Sequence, residues 1–256
     1  MKEGVQHLQN SIPTRPRVSE LSRFDRFYFY IKGNRWYWYF SIFCRCSLAL
    51  GFFFAGWVKI IDERFASGLS TIHPMGAYLE ALHHTGYYYT FIGIAQILAA
   101  VLLLIPRTVT LGALLYFPII VNIFILSYAV RFDGSYMTAP LMLLANIYIL
   151  VWNYDKLRFI LPFSNFSDYG ILKRPKRYSN KFPFAFFSGV AFTFIGIIAF
   201  FLFAHGIMPR NSLSDCKQQF QNSKNETNGF EFCECIHIHG QSLDECLEAY
   251  ERSQNN

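Results

Sequence analysis

The residues best equipped for chemistry crowd into one stretch near the C-terminus, FEFCECIHIHG at residues 230–240. Cys233, Cys235, His237 and His239 occupy alternate positions there. Thiolate and imidazole together suit zinc or copper. A thiol pair could instead carry electrons or close disulfides. On a strand all four side chains would project from one face. Four ligands on one straight strand cannot surround an ion tetrahedrally. A metal would need a turn or a second chain, and it leaves Cys216 and Cys246 unexplained. The surrounding tail reads as two short helices, near SLSDCKQQFQ and SLDECLEAYERS, around a strand-like middle. Ser242 and Glu245 have capping-box spacing at the second helix. In an oxidising compartment the four cysteines read as a disulfide framework with three available pairings. Joining Cys233 to Cys235 closes a small strained ring. The expectation is therefore one bridge from each helix to the C-E-C segment. A tail this short builds little core, so two bridges supply much of its stability.

A second set of candidates is polar residues inside apolar runs: Arg45, Lys59, Gln96, Asn122 and Asn146. Arg45 could anchor an anionic or carbonyl-bearing ligand such as a quinone head group. It could equally bond helix-end carbonyls or snorkel to an interface. Lys59 follows 14 residues later, about 40° short of four helical turns, so both cations share nearly one face. The three amides either glue helices together or line one polar pocket with Arg45. No carboxylate stands beside them for a proton relay. Cys44 and Cys46 cannot meet on a helix, because residues two apart point about 200° away from each other. His73, His83 and His84 lack a metal-ligand spacing.

What must position these residues is a set of membrane helices. Hydrophobic residues make up 53% of the chain and charged ones only 16%, against about 25% in soluble domains. Five apolar segments approach the roughly 20 residues needed to cross a bilayer: 36–61, 88–105, 111–130, 136–152 and 182–207. None has the polar face of a soluble core helix. Aromatic clusters mark the interfaces at Trp36–Tyr39, Tyr87–Tyr89, and Trp152 with Tyr154. The net charge of +6 does not indicate nucleic acid, since Lys and Arg fall in blocks beside the apolar runs. Residues 1–35 hold seven Lys/Arg, and 154–181 hold seven more. The tail 208–256 holds four against eight Asp/Glu. The positive-inside rule then predicts a cytoplasmic N-terminus and an extracytoplasmic tail. No cleavable signal peptide is read at the N-terminus. Pro118 and Pro140 are expected to kink helices 3 and 4.

The run RCSLALGFFFAGWVKI, with Arg45, Gly51, Phe52 to Phe54, Gly56 and Lys59, resembles the opening helix of the DoxX family. IGIAQILAAVLLLIPRTVTLGALL is similar to that family's second and third helices, with Gln96 where many members have Glu and a turn at Pro106-Arg107-Thr108. The resemblance covers about residues 45–161. It implies a four-helix membrane bundle, and membership of redox complexes or of assembly factors without chemistry of their own.

The fold class expected is all-α: a DoxX-like four-helix membrane bundle, a fifth transmembrane helix and a small Cys-rich extracytoplasmic tail. The organisation is a cytoplasmic basic arm (1–35), the four-helix domain (36–161), a basic cytoplasmic linker (162–181), the fifth helix (182–207) and a disulfide-linked helical tail (208–256). No nucleotide loop, nucleophile triad or haem motif is seen. No catalytic residue is assigned and no activity is expected of the chain alone. The leading expectation is a cell-membrane, multi-pass subunit of a thiol- or sulfur-linked, quinone-coupled redox system. Its partners would be the lipid bilayer and a protein of that complex, not nucleic acid. The alternatives are a scaffold or assembly factor binding through its tail, and a small-molecule transporter.

Overall fold

The computed structural model describes residues 23–157 and 178–254. Most of the basic arm and of the linker, residues 1–22 and 158–177, lies outside them. The described residues form helices joined by turns and loops, with no strand among them and one isolated bridge between Asn34 and Ser179. Five helical stretches are long and apolar enough to cross a membrane, as hydrocarbon demands of a backbone that must satisfy itself.

The first helix, α1 (Arg23–Lys32), lies ahead of the bundle. The Tyr28 hydroxyl donates to Asp155 at 2.8 Å, and Lys32 pairs with the same carboxylate at 2.8 Å. Helix α2 (Arg35–Ile60) starts at Asn34, whose side chain accepts from the Trp36 amide at 2.9 Å. Its 26 residues make about 39 Å of helix, enough to span with some tilt. A loop carrying the short helix α3 (Pro74–His83) leads to α4 (Tyr87–Leu104). A tight turn at Pro106 leads to α5 (Val109–Ala129). The fourth span divides into α6 (Asp133–Tyr136) and α7 (Thr138–Trp152), with a break at Met137. Pro140 stands in the first turn of α7, where its missing N–H costs least. Pro118 lies inside α5. The one-turn helix α8 (Tyr154–Leu157) follows, and α9 (Phe184–Phe203) is the fifth span.

Helices α2, α4, α5 and α7 form a closed ring of neighbours: α2 on α4, α4 on α5, α5 on α7, and α7 back on α2. Their shared core holds Leu48, Phe52, Ala99, Leu103, Tyr116 and Ile149. The α2–α4 contact is close because of two glycines. A Cβ on Gly56 would sit 2.7 Å from the Gly93 carbonyl oxygen, and one on Gly93 would sit 2.8 Å from that of Gly56. Small residues let membrane helices approach in this way. No residue of α9 is buried. It meets α2 through the edge-on pair Phe40–Phe186 and α6 through the parallel rings of Tyr136 and Phe200.

The tail is a second packed unit of three helices: α10 (Leu213–Gln218), α11 (Glu226–His237) and α12 (Leu243–Gln254). Its core is Phe220, Phe232, Ile236 and Tyr250 around four buried or half-buried cysteines. The strand expected for its middle is a helix instead. Glu226 to His237 offers apolar residues at helical spacing against α10 and α12, and a lone strand would have had no partner. Gly229 is required by this packing, since a Cβ there would run into the Phe220 ring.

Candidate functional site

The helical form of α11 decides the cysteine chemistry. Cys233 and Cys235 point to opposite sides of the helix, as residues two apart must. Cys233 is bonded to Cys216 of α10, and Cys235 to Cys246 of α12, with Cα–Cα distances of 5.7 and 5.9 Å. The alternative metal set Cys233, Cys235, His237 and His239 is therefore overturned. Both sulfurs are committed, and the four side chains do not share a face. His239 lies beyond the end of the helix. The Nε2 of His237 is 2.7 Å from the Pro209 carbonyl. Of the other cysteines, Cys44 is buried and Cys46 exposed, and neither is bonded.

The polar residues of the membrane helices separate into two groups. Arg45 is not in a pocket. Its Nε donates to the Leu103 carbonyl at 2.7 Å and its Nη2 to the Leu104 carbonyl at 2.8 Å. These are orphan acceptors at the C-terminal end of α4, where a cation is also favoured by the helix dipole. Asn146 is fully buried and donates to the Ala113 carbonyl of α5 at 3.2 Å, and its Oδ1, which has no hydrogen-bond partner, does not line the cavity. The expectation that Arg45 and Asn146 line a ligand pocket is corrected accordingly. Each is bonded to a neighbouring helix's carbonyls, away from the cavity's walls.

Lys59, Gln96 and Asn122 line one cavity of about 720 Å³, at the end of the bundle opposite Arg45. Phe52, Ile120, Ile123 and Met142 supply apolar walls from α2, α5 and α7. Helix α3 supplies the roof, with Met75, Tyr78, Leu79 and Leu82 facing inward. Asn122, Tyr78 and Tyr88 are exposed at its rim. Lys59 and Arg45 do share a face: both turn toward α4, at opposite ends of it.

Lys59 is only 6% exposed. Its ammonium donates to the Ala55 carbonyl one turn back at 2.9 Å. It also lies 4.5 Å from the centre of the Phe65 ring and 5.8 Å from that of Tyr89. Among the described residues no carboxylate lies in ion-pair range of it. The nearby acids are engaged elsewhere: Asp62 with His83, Glu80 with Arg64 and His84. Gln96 is 2% exposed, and its Oε1 is buried without a hydrogen-bond partner. The cavity thus offers an ammonium with donors to spare, an unsatisfied amide oxygen and an apolar chamber. That combination suits a lipophilic molecule with a small polar head.

Two residues missed from the sequence shape this site. The Tyr89 hydroxyl donates to the Glu63 carbonyl at 2.9 Å and accepts from the Phe65 amide at 2.8 Å. It thereby holds the loop that sets Phe65 over Lys59. Tyr89 belongs to the YYY cluster, which composition alone assigns to an interface. Of the loop histidines, His83 and His84 bind Asp62 and Glu80, whereas His73 is buried.

A stretch of the chain is 39% identical over 113 residues to the uncharacterised protein YwoB of Bacillus subtilis (strain 168). It covers 42% of this chain and 72% of that protein. No family model matches the chain, and no solved structure matches it.

Proposed function

The chain belongs to the family of the uncharacterised Bacillus subtilis protein YwoB; we propose, from the chain's own residues and cavity, that it is a DoxX-like membrane subunit of a sulfur-linked, quinone-coupled redox system. The observation that carries the reading is the cavity with Lys59 and Gln96 inside it. A quinone ring has carbonyl oxygens to accept from the Lys59 ammonium. The quinol has hydroxyls to donate to the orphan Gln96 oxygen. The isoprenoid tail would leave past Asn122 and Tyr88 into lipid. A dithiol on a partner subunit would give two electrons and two protons to the quinone, becoming a disulfide as the quinone becomes a quinol. This chain would supply the head-group site. Its orientation, with the basic ends of the spans in the cytoplasm and the disulfide tail outside, is part of the same proposal.

The test is extraction of quinone from the protein purified in mild detergent. Near-stoichiometric quinone is expected, falling at least tenfold in Lys59→Gln. Protein that carries none, even after incubation with a short-chain quinone, would sink the reading. A second reading is favoured by the tail's separate core: a scaffold that binds a protein through the tail, residues 208–256. It would be supported by a co-purifying partner that is lost when the tail is removed, in protein free of quinone.

A further inference from the structure

The tail does not stand free of the bundle. Arg131, just past α5, donates to the Ile207 carbonyl at 3.0 Å, and Arg210 lies 3.6 Å from Asp133. Gly240 sits so close to Ile72 that a Cβ there would be 3.3 Å from its carbonyl oxygen. The next residue, His73, meets His237 of α11 with ring centres 5.3 Å apart. Both imidazoles are buried, at 1% and 7% exposed. His73 is also the N-cap of α3, the roof of the cavity. The tail therefore grips the roof at its first residue.

The bonding partners fix which nitrogen of each ring carries the proton. The Met75 amide donates to Nδ1 of His73 at 3.1 Å, so that nitrogen is bare and the neutral ring is protonated at Nε2. The Pro209 carbonyl can only accept, so Nε2 of His237 is protonated and its Nδ1 is bare. The buried Nε2 of His73 has no hydrogen-bond partner. The neutral rings pack as a tilted, buried pair with no hydrogen bond between them, so the contact shields His73 from water without offering a charge any acceptor. A proton added to His73 must go on Nδ1, which removes the acceptor that caps α3. That proton opposes the contact.

We propose that the tail is an acid-released latch on the roof of the cavity, closed while His73 is neutral and packed on His237 and opened when His73 is protonated. The surrounding charges do not rescue a charged His73. On α3 the ionisable groups are Glu80, His83 and His84, and Glu80 is held by Arg64 and His84. On α11 Glu234 is held by Lys217, and the other neighbour there is His239. From the segment after α9 comes Arg210, a cation, engaged by Asp133 of α6. Burial and the neighbouring His237 push His73 down to about 4, with the Arg210 backbone opposing weakly. The sign follows. A depressed imidazole favours the closed state above its ordinary value near 6.5, and that preference is lost as pH falls toward 4. Acid opening also places the cavity's roof under control of the medium that bathes the tail, which matters for function only if the cavity holds the ligand proposed above.

The latch is read without any ligand, so its failure and that of the quinone reading are separable. The full chain in lipid nanodiscs would be followed by hydrogen exchange at pH 7.5 and 5.0, corrected for intrinsic rates. Protection of the α3 amides is expected to fall by roughly tenfold to thirtyfold at pH 5.0, as linkage through one such group requires. In His73→Asn, which keeps an N-cap acceptor and cannot titrate, protection should be equal at the two pH values. His237→Gln, which keeps a donor for Pro209, should blunt the response likewise. Unchanged protection in the wild type, or an equal fall in both variants, would overturn the latch.

Discussion

At the scale of single residues, the two cations of α2 have opposite fates, and the difference is what surrounds them. Arg45 reaches two helix-end carbonyls and is satisfied. Lys59 has one carbonyl, two ring faces and a cavity. A ligand pocket needs the unsatisfied one. Arg45→Ala should therefore lower thermal stability, by about 1.5–3 kcal/mol if charged hydrogen bonds are the main loss, while quinone extraction is unchanged. Loss of quinone without loss of stability would return Arg45 to the pocket. Gly56 is a position where one methylene too many decides packing. Gly56→Leu must push its side chain into the Gly93 backbone, and overpacking of this kind costs about 1–3 kcal/mol or more. The expected readout is a lower melting temperature, with Gly189→Leu as control, since nothing lies within 4 Å of that position. The residue types and positions of both cations were legible from the sequence. Their partners were not, because a carbonyl at the end of another helix leaves no mark in the local pattern.

At the scale of elements, the tail helix α11 shows how a secondary-structure assignment carries chemistry with it. Alternate Cys and His residues look alike on paper whether the segment is strand or helix. On a strand they would have converged; on the helix they diverge, and each cysteine meets a different neighbour. The two bridges should differ in behaviour. Cys216 and Cys233 are both fully buried, whereas Cys235 is half-buried. Exchange requires access to a sulfur. Stepwise reduction with mass-tagging of free thiols should open Cys235–Cys246 first, and the reverse order would contradict the packing described. The roof helix α3 is a second such case. A short apolar helix over the bundle could be read from MGAYLEALHH. That His73 at its start is shut against the tail could not, because the contact joins residues 164 positions apart in the chain.

At the scale of the whole molecule, the described spans sort their connections to two ends. The loop 61–86, the turn at Arg131 and the tail lie together at the Lys59 end, and their contacts hold one another. The other end gathers α1, the turn at Pro106, Asp155 and residues 178–183, with Asn34 donating to the Lys181 carbonyl at 2.8 Å. The charge distribution then predicts the absolute orientation. An impermeant thiol reagent on intact cells should label the four tail cysteines only after reduction. Labelling that requires opened cells would invert the orientation and put the cavity's roof in the cytoplasm. The number of apolar spans and the helical class were determined by the sequence alone. Length and uniform hydrophobicity leave a chain in lipid no other way to satisfy its backbone. Which polar side chains are satisfied, which ones face the cavity and which tail residue touches the roof were decided only by the tertiary structure. Those depend on how helices far apart in the chain are set against each other, and a periodic apolar pattern is compatible with many such settings.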